Sequence, residues 1–177
     1  IPIIEDCAGS FFSQDEEIST GTIGDFAIYS FPKMFPIQVG GLLVVNNDKI
    51  PERVHEPEQM LLRHIKNVMS KYITFKDEII SKRIYNYNLL SGRFRLAGLP
   101  ARFDLTLDTV PGVFMFRTAG HRIDLPTLKK HFWDHGVQSS VFYGEEAFFI
   151  PVHQALTEAD LDYFFEIMQS FLQSHKR

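Results

Sequence analysis

Three short, predominantly apolar runs in the first 48 residues constrain the fold more than any other feature of this sequence. They lie at residues 1–4, 26–31 and 42–45, and each is followed or preceded by polar or turn-forming residues. Runs of this kind are typical of strands that are covered on both faces of a sheet. Three strands cannot supply that cover themselves, so we expect the chain to be part of a longer protein. The start at Ile1 rather than at a Met favours the same interpretation.

The rest of the chain has the pattern of a helix-rich unit. Apolar residues recur at helical spacing over 54–71 and 77–90, whereas residues 93–108 are predicted to form a loop. Asp124 is a suitable N-cap for a helix over 125–135, and Thr157 with Asp160 resembles a capping box that opens a final amphipathic helix. Further strands are predicted at 113–117 and 148–150.

These elements predict an α/β fold made of two parts. Residues 1–53 are expected to be the C-terminal part of a larger cofactor-binding domain, with three strands of a mostly parallel sheet. Residues 54–76 form a linking helix, and residues 77–177 form a smaller α+β domain.

Composition excludes several classes of function. The net charge is −4, with no basic patch, so nucleic acid is not an expected partner. No apolar run approaches the roughly 18 residues of a membrane span. Cys7 is the single cysteine, which rules out an intrachain disulfide and favours a cytoplasmic protein. His131 and His135 have a metal-compatible spacing, but no third ligand stands out, so we expect a solvated helix face and no metal site.

Polar side chains at the ends of neighbouring strands predict the chemistry. Asp6 follows the first apolar run, Ser30 ends the second, and Lys33 comes three residues later. An amine, a carboxylate and a hydroxyl mounted on adjacent strand ends meet the needs of pyridoxal phosphate. The amine binds the cofactor carbon, the carboxylate keeps the pyridine nitrogen protonated, and the hydroxyl holds the phosphate. Gly40 and Gly41 allow close packing where the chain re-enters the sheet.

The order and spacing of these residues resemble one enzyme family. The segments 4–8 (IEDCA) and 21–31 (GTIGDFAIYSF), followed by Lys33 and the Gly40-Gly41 pair, are similar to the DegT/DnrJ/EryC1/StrS aminotransferases, which are fold type I enzymes. Residues 81–83 (SKR) and 150–157 (IPVHQALT) resemble two later family motifs. The similarity is dense over 1–48 and looser over 54–140.

The resemblance implies an aminotransferase with pyridoxal phosphate as cofactor. Lys33 matches the catalytic Schiff-base lysine, Asp6 the partner of the pyridine nitrogen, and Ser30 a ligand of the phosphate, while Glu5 is expected to be structural. The amino group would pass, from glutamate, to a keto group of a nucleotide-linked sugar or a similar small molecule. The family also implies a homodimer.

Two alternatives stay open at this point. Gly9 stands where the family often has Gln or His beside the ring hydroxyl, and only Pro32 separates the Ser-Phe pair from Lys33. These departures fit a catalytically degenerate protein that acts as a binding or sensory module. The second alternative is an unrelated doubly wound domain that binds a nucleotide, although no G-x-G-x-x-G or P-loop motif is present.

Overall fold

The computed structural model describes residues 1–14, 19–47 and 57–175. The chain forms two compact units. The first comprises Ile1–Ile80 and Thr106–Val110, and the second comprises Ser81–Leu105 and Pro111–Arg177. The finer domain boundaries at residues 53 and 76 stay predictions.

The first unit contains a three-stranded sheet in which the strands lie in chain order. Strand β1 is Ile4–Asp6, β2 is Phe26–Ser30 and β3 is Gly41–Val45. β1 and β2 are parallel, whereas β2 and β3 are antiparallel. The prediction of a mostly parallel sheet is therefore wrong for these strands, which form a mixed sheet. The reason is the short connection over 31–40, because a parallel return needs a crossover of a dozen or more residues.

The first strand begins later than its apolar run suggests. Pro2 lacks a backbone N–H, and the chain before Ile4 is held instead by a hydrogen bond from Ile3 N to Asp25 Oδ2 at 2.7 Å. Several apolar side chains of the sheet stay exposed, among them Ile4, Ile28, Leu42 and Leu43. The cover on both faces that the apolar runs predict is thus not supplied within the described chain.

Two helices follow the sheet. Helix α1 is Gln59–Tyr72, and a 3₁₀ turn at Ile73–Phe75 joins it to helix α2, Lys76–Leu96. Val54, which was predicted to open the first helix, lies outside the described residues. Helix α2 is longer than predicted, because residues 93–96 continue the helix instead of opening the loop that was predicted over 93–108. Phe94 is completely buried and Arg93 forms an ion pair with Asp162 at 2.5 Å, so tertiary contacts extend the helix.

The second unit is built on an antiparallel sheet covered by helices. Its strands are β4 (Val113–Arg117), β5 (Ser140–Phe142) and β6 (Ala147–Pro151), in the order β4-β6-β5. The sequence predicted β4 and β6 but missed β5, which is only three residues long. The core of the unit joins this sheet to helix α2 through buried phenylalanines, including Phe94, Phe114, Phe116 and Phe148.

Helices α3 (Leu125–Asp134) and α4 (Glu158–Ser174) complete the second unit. Asp124 caps α3 as predicted, because its side chain accepts a hydrogen bond from Thr127 N. Thr157 and Asp160 form the predicted capping box of α4. The apolar stripe of α4 is core, with Leu161, Phe164, Met168 and Phe171 buried. In the part of the chain that the structure describes, no helix has the length and apolar character needed to cross a membrane.

Candidate functional site

Asp6 and Ser30 end two neighbouring parallel strands, β1 and β2, at the same edge of the sheet. Asp6 pairs with Ile28, so Ser30 lies two residues further along the adjacent strand. With ordinary strand geometry, the two Cα atoms are about 8 Å apart. The Asp6 side chain is exposed and accepts a hydrogen bond from Ala8 N at 3.0 Å, and Ser30 is partly buried. The structure therefore brings these two predicted residues together at one edge.

Lys33 ends a 3₁₀ turn, Phe31–Lys33, that starts directly after Ser30. The turn is anchored because its apolar neighbours point into the first unit: Phe31, Met34, Phe35 and Ile37 are buried with Ile79. Lys33 itself is exposed. A residue on such an anchored turn has little freedom in its backbone, so the turn fixes the point from which the Lys33 side chain extends.

The aromatic support of this turn is a feature that the sequence analysis missed. Phe11 contacts Phe35 edge to face, with ring centroids 5.2 Å apart, and also contacts Phe31 at 5.9 Å. Phe12 packs against Phe35 at 5.5 Å. Such pairs add to the stabilisation that burial gives. The high phenylalanine content, 17 residues, is the signal in the sequence, but it does not say which rings meet.

The Gly40-Gly41 pair sets the return of the chain into the sheet. Gly40 has φ +95, a conformation that side chains disfavour, and its carbonyl accepts a hydrogen bond from Phe31 N at 3.2 Å. A Cβ on Gly41 would lie 2.4 Å from the carbonyl oxygen of Tyr29. The close packing predicted at this pair is therefore confirmed, and it fixes β3 against the end of β2.

Glu5 holds the loop that precedes β2. Its carboxylate accepts hydrogen bonds from three backbone N–H groups, those of Gly21 at 2.7 Å, Ile23 at 3.0 Å and Gly24 at 3.3 Å. The bond from Gly21 is the largest cause of a lowered pKa at Glu5. These contacts agree with the structural role expected for Glu5, which fixes the loop beside the strand that also carries Asp6.

Two further side chains hold the same loop, and the sequence analysis named neither. Asn46, just after β3, donates from Nδ2 to the carbonyls of Gly21 at 2.7 Å and Gly24 at 2.9 Å. The hydroxyl of Tyr29 donates to Thr20 O at 2.8 Å. Each of the three strands therefore has a residue in it or next to it that contacts this loop. The only sequence signal for Asn46 is the polar turn after the third apolar run.

Cys7, His131 and His135 are the remaining titratable groups that the sequence analysis singled out. Cys7 is buried, and burial raises the pKa of its thiol. His131 and His135 lie 4.5 Å apart between ring centroids. Burial and the nearby His135 lower the pKa of His131. Within the described residues, no group of three or more His, Cys, Asp or Glu side chains is arranged to hold a metal ion.

The two later motifs meet in the second unit. Arg83 on α2 is buried and donates from Nη1 to the carbonyls of Pro111 at 3.1 Å and Val152 at 3.2 Å. One turn further, Asn86 donates to the carbonyl of His153 at 2.9 Å. Burial lowers the pKa of the Arg83 guanidinium to about 10, and burial followed by the Arg83 charge lowers that of His153. The segment after β6 is thus fixed by two polar side chains of α2.

The comparisons with known proteins agree with the sequence motifs. The model of the DegT/DnrJ/EryC1/StrS aminotransferase family matches residues 1–91, slightly more than half of the 177 residues. No curated protein matches the chain.

Solved structures of several aminotransferases have the same fold as this chain. The aminotransferase TlmJ from Streptoalloteichus hindustanus is 17% identical, with a TM-score of 0.70 over 98% of this chain and 59% of that chain. Spr1654 from Streptococcus pneumoniae, in its PLP form, is 14% identical, with a TM-score of 0.71 over 100% of this chain and 59% of that one.

Helicobacter pylori PseC, an aminotransferase involved in the biosynthesis of pseudoaminic acid, is 13% identical, with a TM-score of 0.69 over 98% of this chain and 60% of PseC. At such identities the likeness shows the fold alone. The chain spans about three fifths of the length of these structures.

Proposed function

Because the chain belongs to the DegT/DnrJ/EryC1/StrS aminotransferase family, we propose that the complete protein is a pyridoxal-phosphate-dependent aminotransferase. It transfers an amino group, with glutamate as the donor, to a keto group of a nucleotide-linked sugar or a similar small molecule. The observation that carries the proposal is the arrangement of Asp6, Ser30 and Lys33, two at one sheet edge and the third on the turn that follows.

The residues present fit the cofactor by their chemistry. Lys33 offers an exposed amine for its carbonyl carbon, Asp6 an exposed carboxylate for its ring nitrogen, and Ser30 a hydroxyl for its phosphate. All three are mounted on strand ends or on an anchored turn, which suits a site that needs defined geometry. The Glu5, Asn46 and Gly41 contacts support the same edge from the loop before β2 and from β3.

Each side chain has a separate role in the proposed reaction. Bound pyridoxal phosphate supplies an electron sink for the carbon that exchanges its amino group. Lys33 Nζ holds the cofactor and moves a proton at the reacting carbon as a general base and acid. The Asp6 carboxylate keeps a proton at the ring nitrogen, and Ser30 Oγ donates a hydrogen bond to the phosphate.

The proposal is tested by measuring the first half of the reaction, the release of 2-oxoglutarate from glutamate, with the complete protein. We expect glutamate to be converted to 2-oxoglutarate in an amount equal to the loaded cofactor. Lys33→Ala should lower this rate at least about a hundredfold, as expected for loss of a proton-transfer group. Lys71→Ala, a change of an exposed lysine in α1, should leave it unchanged. A folded, cofactor-loaded protein that accepts no amino donor would contradict the proposal.

The second candidate is a catalytically degenerate binding or sensory module. Gly9 favours it, because the position has no side chain to meet the ring hydroxyl, and the space around a Cβ there is open within 4 Å. This candidate predicts cofactor binding at Lys33 without release of 2-oxoglutarate, so the same experiment distinguishes the two.

We also propose that the complete protein is a homodimer, as the family resemblance implies. Multi-angle light scattering of the complete protein tests this directly. A mass equal to one chain at micromolar concentration would contradict it.

A further inference from the structure

The second unit has a cleft between the connection from β4 to α3 and the end of helix α4. Its volume is about 1100 Å³, which is enough for a small molecule. The connection contributes Arg122, Ile123 and Asp124 to the lining, and α4 contributes Phe171 and Leu172 among others. None of the three candidate cofactor residues lines this cleft.

Two opposite charges line the cleft without neutralising each other. Arg122 and Asp124 are the only Lys, Arg, Asp or Glu residues among its described lining residues, and both are exposed. Although they are two positions apart, neither forms an ion pair with the other or with another described residue. A ligand with a single charge can pair with only one of them, whereas a zwitterion can pair with both.

Arg122 is held in a backbone conformation that residues other than glycine rarely adopt. Its φ is +48, and no other described non-glycine residue has a positive φ. The preceding residue fixes the connection, because His121 N donates to Thr118 O at 3.1 Å and His121 Nε2 lies 2.9 Å from Gly98 O. Residues kept in such conformations cluster at functional sites, which supports a ligand-binding role for Arg122.

Asp124 caps helix α3 with only one of its two carboxylate oxygens. Oδ2 accepts hydrogen bonds from the backbone N–H of Thr127 at 2.9 Å and from the Thr127 hydroxyl, whereas Oδ1 accepts none from a described residue. The Thr127 contacts are the largest causes of the lowered pKa of Asp124, and the charge of His175, at the end of α4, lowers it further. One carboxylate oxygen is therefore available to a ligand in the cleft.

The rest of the lining is apolar or carries neutral amides. Phe171 is buried, and Ile123 and Leu172 are half-buried, so they offer an apolar surface. Gln169 and Gln173 lie one turn apart on α4 and are exposed. Their amide N–H groups can donate hydrogen bonds to a carboxylate.

We propose that this cleft binds an α-amino acid with a large apolar side chain. Its carboxylate pairs with the Arg122 guanidinium, its ammonium group pairs with Asp124 Oδ1, and its side chain packs on Phe171 and Leu172. Glutamate fits less well, because no second cationic residue is among the described lining residues and its second carboxylate would lose hydration without a partner. The ligand therefore differs from both substrates of the proposed amino transfer.

The test is a nuclear magnetic resonance titration of the complete protein at neutral pH. It follows the ring C–H resonances of isotope-labelled His175, which are identified by their loss in His175→Gln. Leucine, methionine and phenylalanine are titrated separately. We expect at least one of them to shift these resonances with saturation, at a dissociation constant of about 0.1–1 mM.

Two analogues of phenylalanine test the need for both charges. Phenylpropionate lacks the ammonium group, and phenethylamine lacks the carboxylate. Each should bind at least about tenfold more weakly than phenylalanine, because each loses one charged contact. Lys33→Ala should leave the dissociation constant of phenylalanine unchanged, which separates this cleft from the proposed cofactor site.

Two substitutions separate binding from stability. Arg122→Gly removes the guanidinium, and because glycine adopts a positive φ readily, the unfolding temperature should stay equal or rise. Asp124→Asn removes the charge but keeps a favourable N-cap, so the unfolding temperature should change little. Each should weaken amino-acid binding at least about tenfold. Arg95→Gln, at an exposed position of α2 outside the cleft, should change neither property.

Three results would overturn the proposal. They are the absence of a saturable shift with every apolar amino acid, binding of either analogue as tight as that of phenylalanine, and unchanged binding in Arg122→Gly and Asp124→Asn. The readout requires no amino transfer, so failure of this proposal is distinguishable from failure of the aminotransferase proposal.

Discussion

The Nε atom of Arg83 donates a hydrogen bond to Oε1 of Gln154 at 2.9 Å, and thereby joins two sequence motifs that are 71 residues apart. The same guanidinium holds the carbonyls of Pro111 and Val152. A buried arginine thus fixes the chain at one end of the second unit's sheet, where β4 begins and its antiparallel neighbour β6 ends.

We predict that Arg83→Met destabilises the protein. Methionine fills much of the same space but donates no hydrogen bond, and each buried oxygen left without a partner costs about 1–3 kcal/mol. Chemical denaturation should show a lower free energy of unfolding. Arg95→Met, at an exposed position of the same helix, is the control. Equal stabilities of the two variants would contradict the role assigned to Arg83.

Substitution of two glycines should have opposite effects. Gly41→Ala would place a Cβ 2.4 Å from the carbonyl oxygen of Tyr29, so β3 must move away from β2. We expect a loss of about 1–3 kcal/mol, as for other overpacked sites.

Gly92→Ala is the matched control for that substitution. Gly92 lies inside α2, and no atom lies within 4 Å of its Cβ position. Because alanine favours a helix over glycine, Gly92→Ala should stabilise by about 0.5–1 kcal/mol. Thermal unfolding of both variants checks the two signs, and equal shifts would contradict the packing described at Gly41.

The positions of all strands except β5 could be predicted from the sequence, whereas the antiparallel pairing of β2 with β3 could not. The apolar runs and the residues at their ends are local features, so the runs containing Ile28 and Leu43 were sufficient to locate β2 and β3. The antiparallel pairing of those strands depends on the short connection between them. Strand β5 was missed because its three residues carry no periodic signal.

Contacts between distant residues explain the other differences. Nothing near Phe94 in the sequence indicates that the core of the second unit extends helix α2 to Leu96. Similarly, Asn46 and Phe11 support the candidate site through partners that are distant in the sequence. Asp6, Ser30 and Lys33 were found because the motif that contains them is compact, and their roles stay predictions.

Glu5 should stabilise the protein in a pH-dependent way. Its pKa in the folded chain is lowered, chiefly by the bond from Gly21 N, so its contribution is present above the ordinary value of 4.5. The contribution is lost as the pH falls through the folded pKa. We expect Glu5→Gln to lower the unfolding temperature at pH 7 and to differ little from the wild type near pH 3. Glu78→Gln, at an exposed position, should show no such convergence.

His131 should make the stability of the protein depend on pH in the neutral range as well. Its ring contacts His135 at 4.5 Å and Phe171 at 5.4 Å, and its Nε2 lies 3.1 Å from Ser170 Oγ. Burial, then His135 and more weakly His175, lower its pKa, while the backbone of Ile167 and, more weakly, Asp134 act in the opposite direction.

The folded state therefore loses stability as the pH falls from the ordinary value of 6.5 through the lower folded pKa of His131. Unfolding temperatures measured between pH 7.5 and 5 should decline less in His131→Asn than in the wild type. His64→Asn, at an exposed position of α1, should retain the full decline. An unchanged decline in His131→Asn would contradict this assignment.

The most direct test of the central claim is the covalent mapping of the cofactor. The complete protein is incubated with pyridoxal phosphate, reduced with borohydride, digested and analysed by mass spectrometry. The account predicts a single pyridoxyl adduct on Lys33, which is lost in Lys33→Arg. A folded, complete protein in which Lys33 stays unmodified would contradict the assignment of this edge of the sheet as a cofactor site.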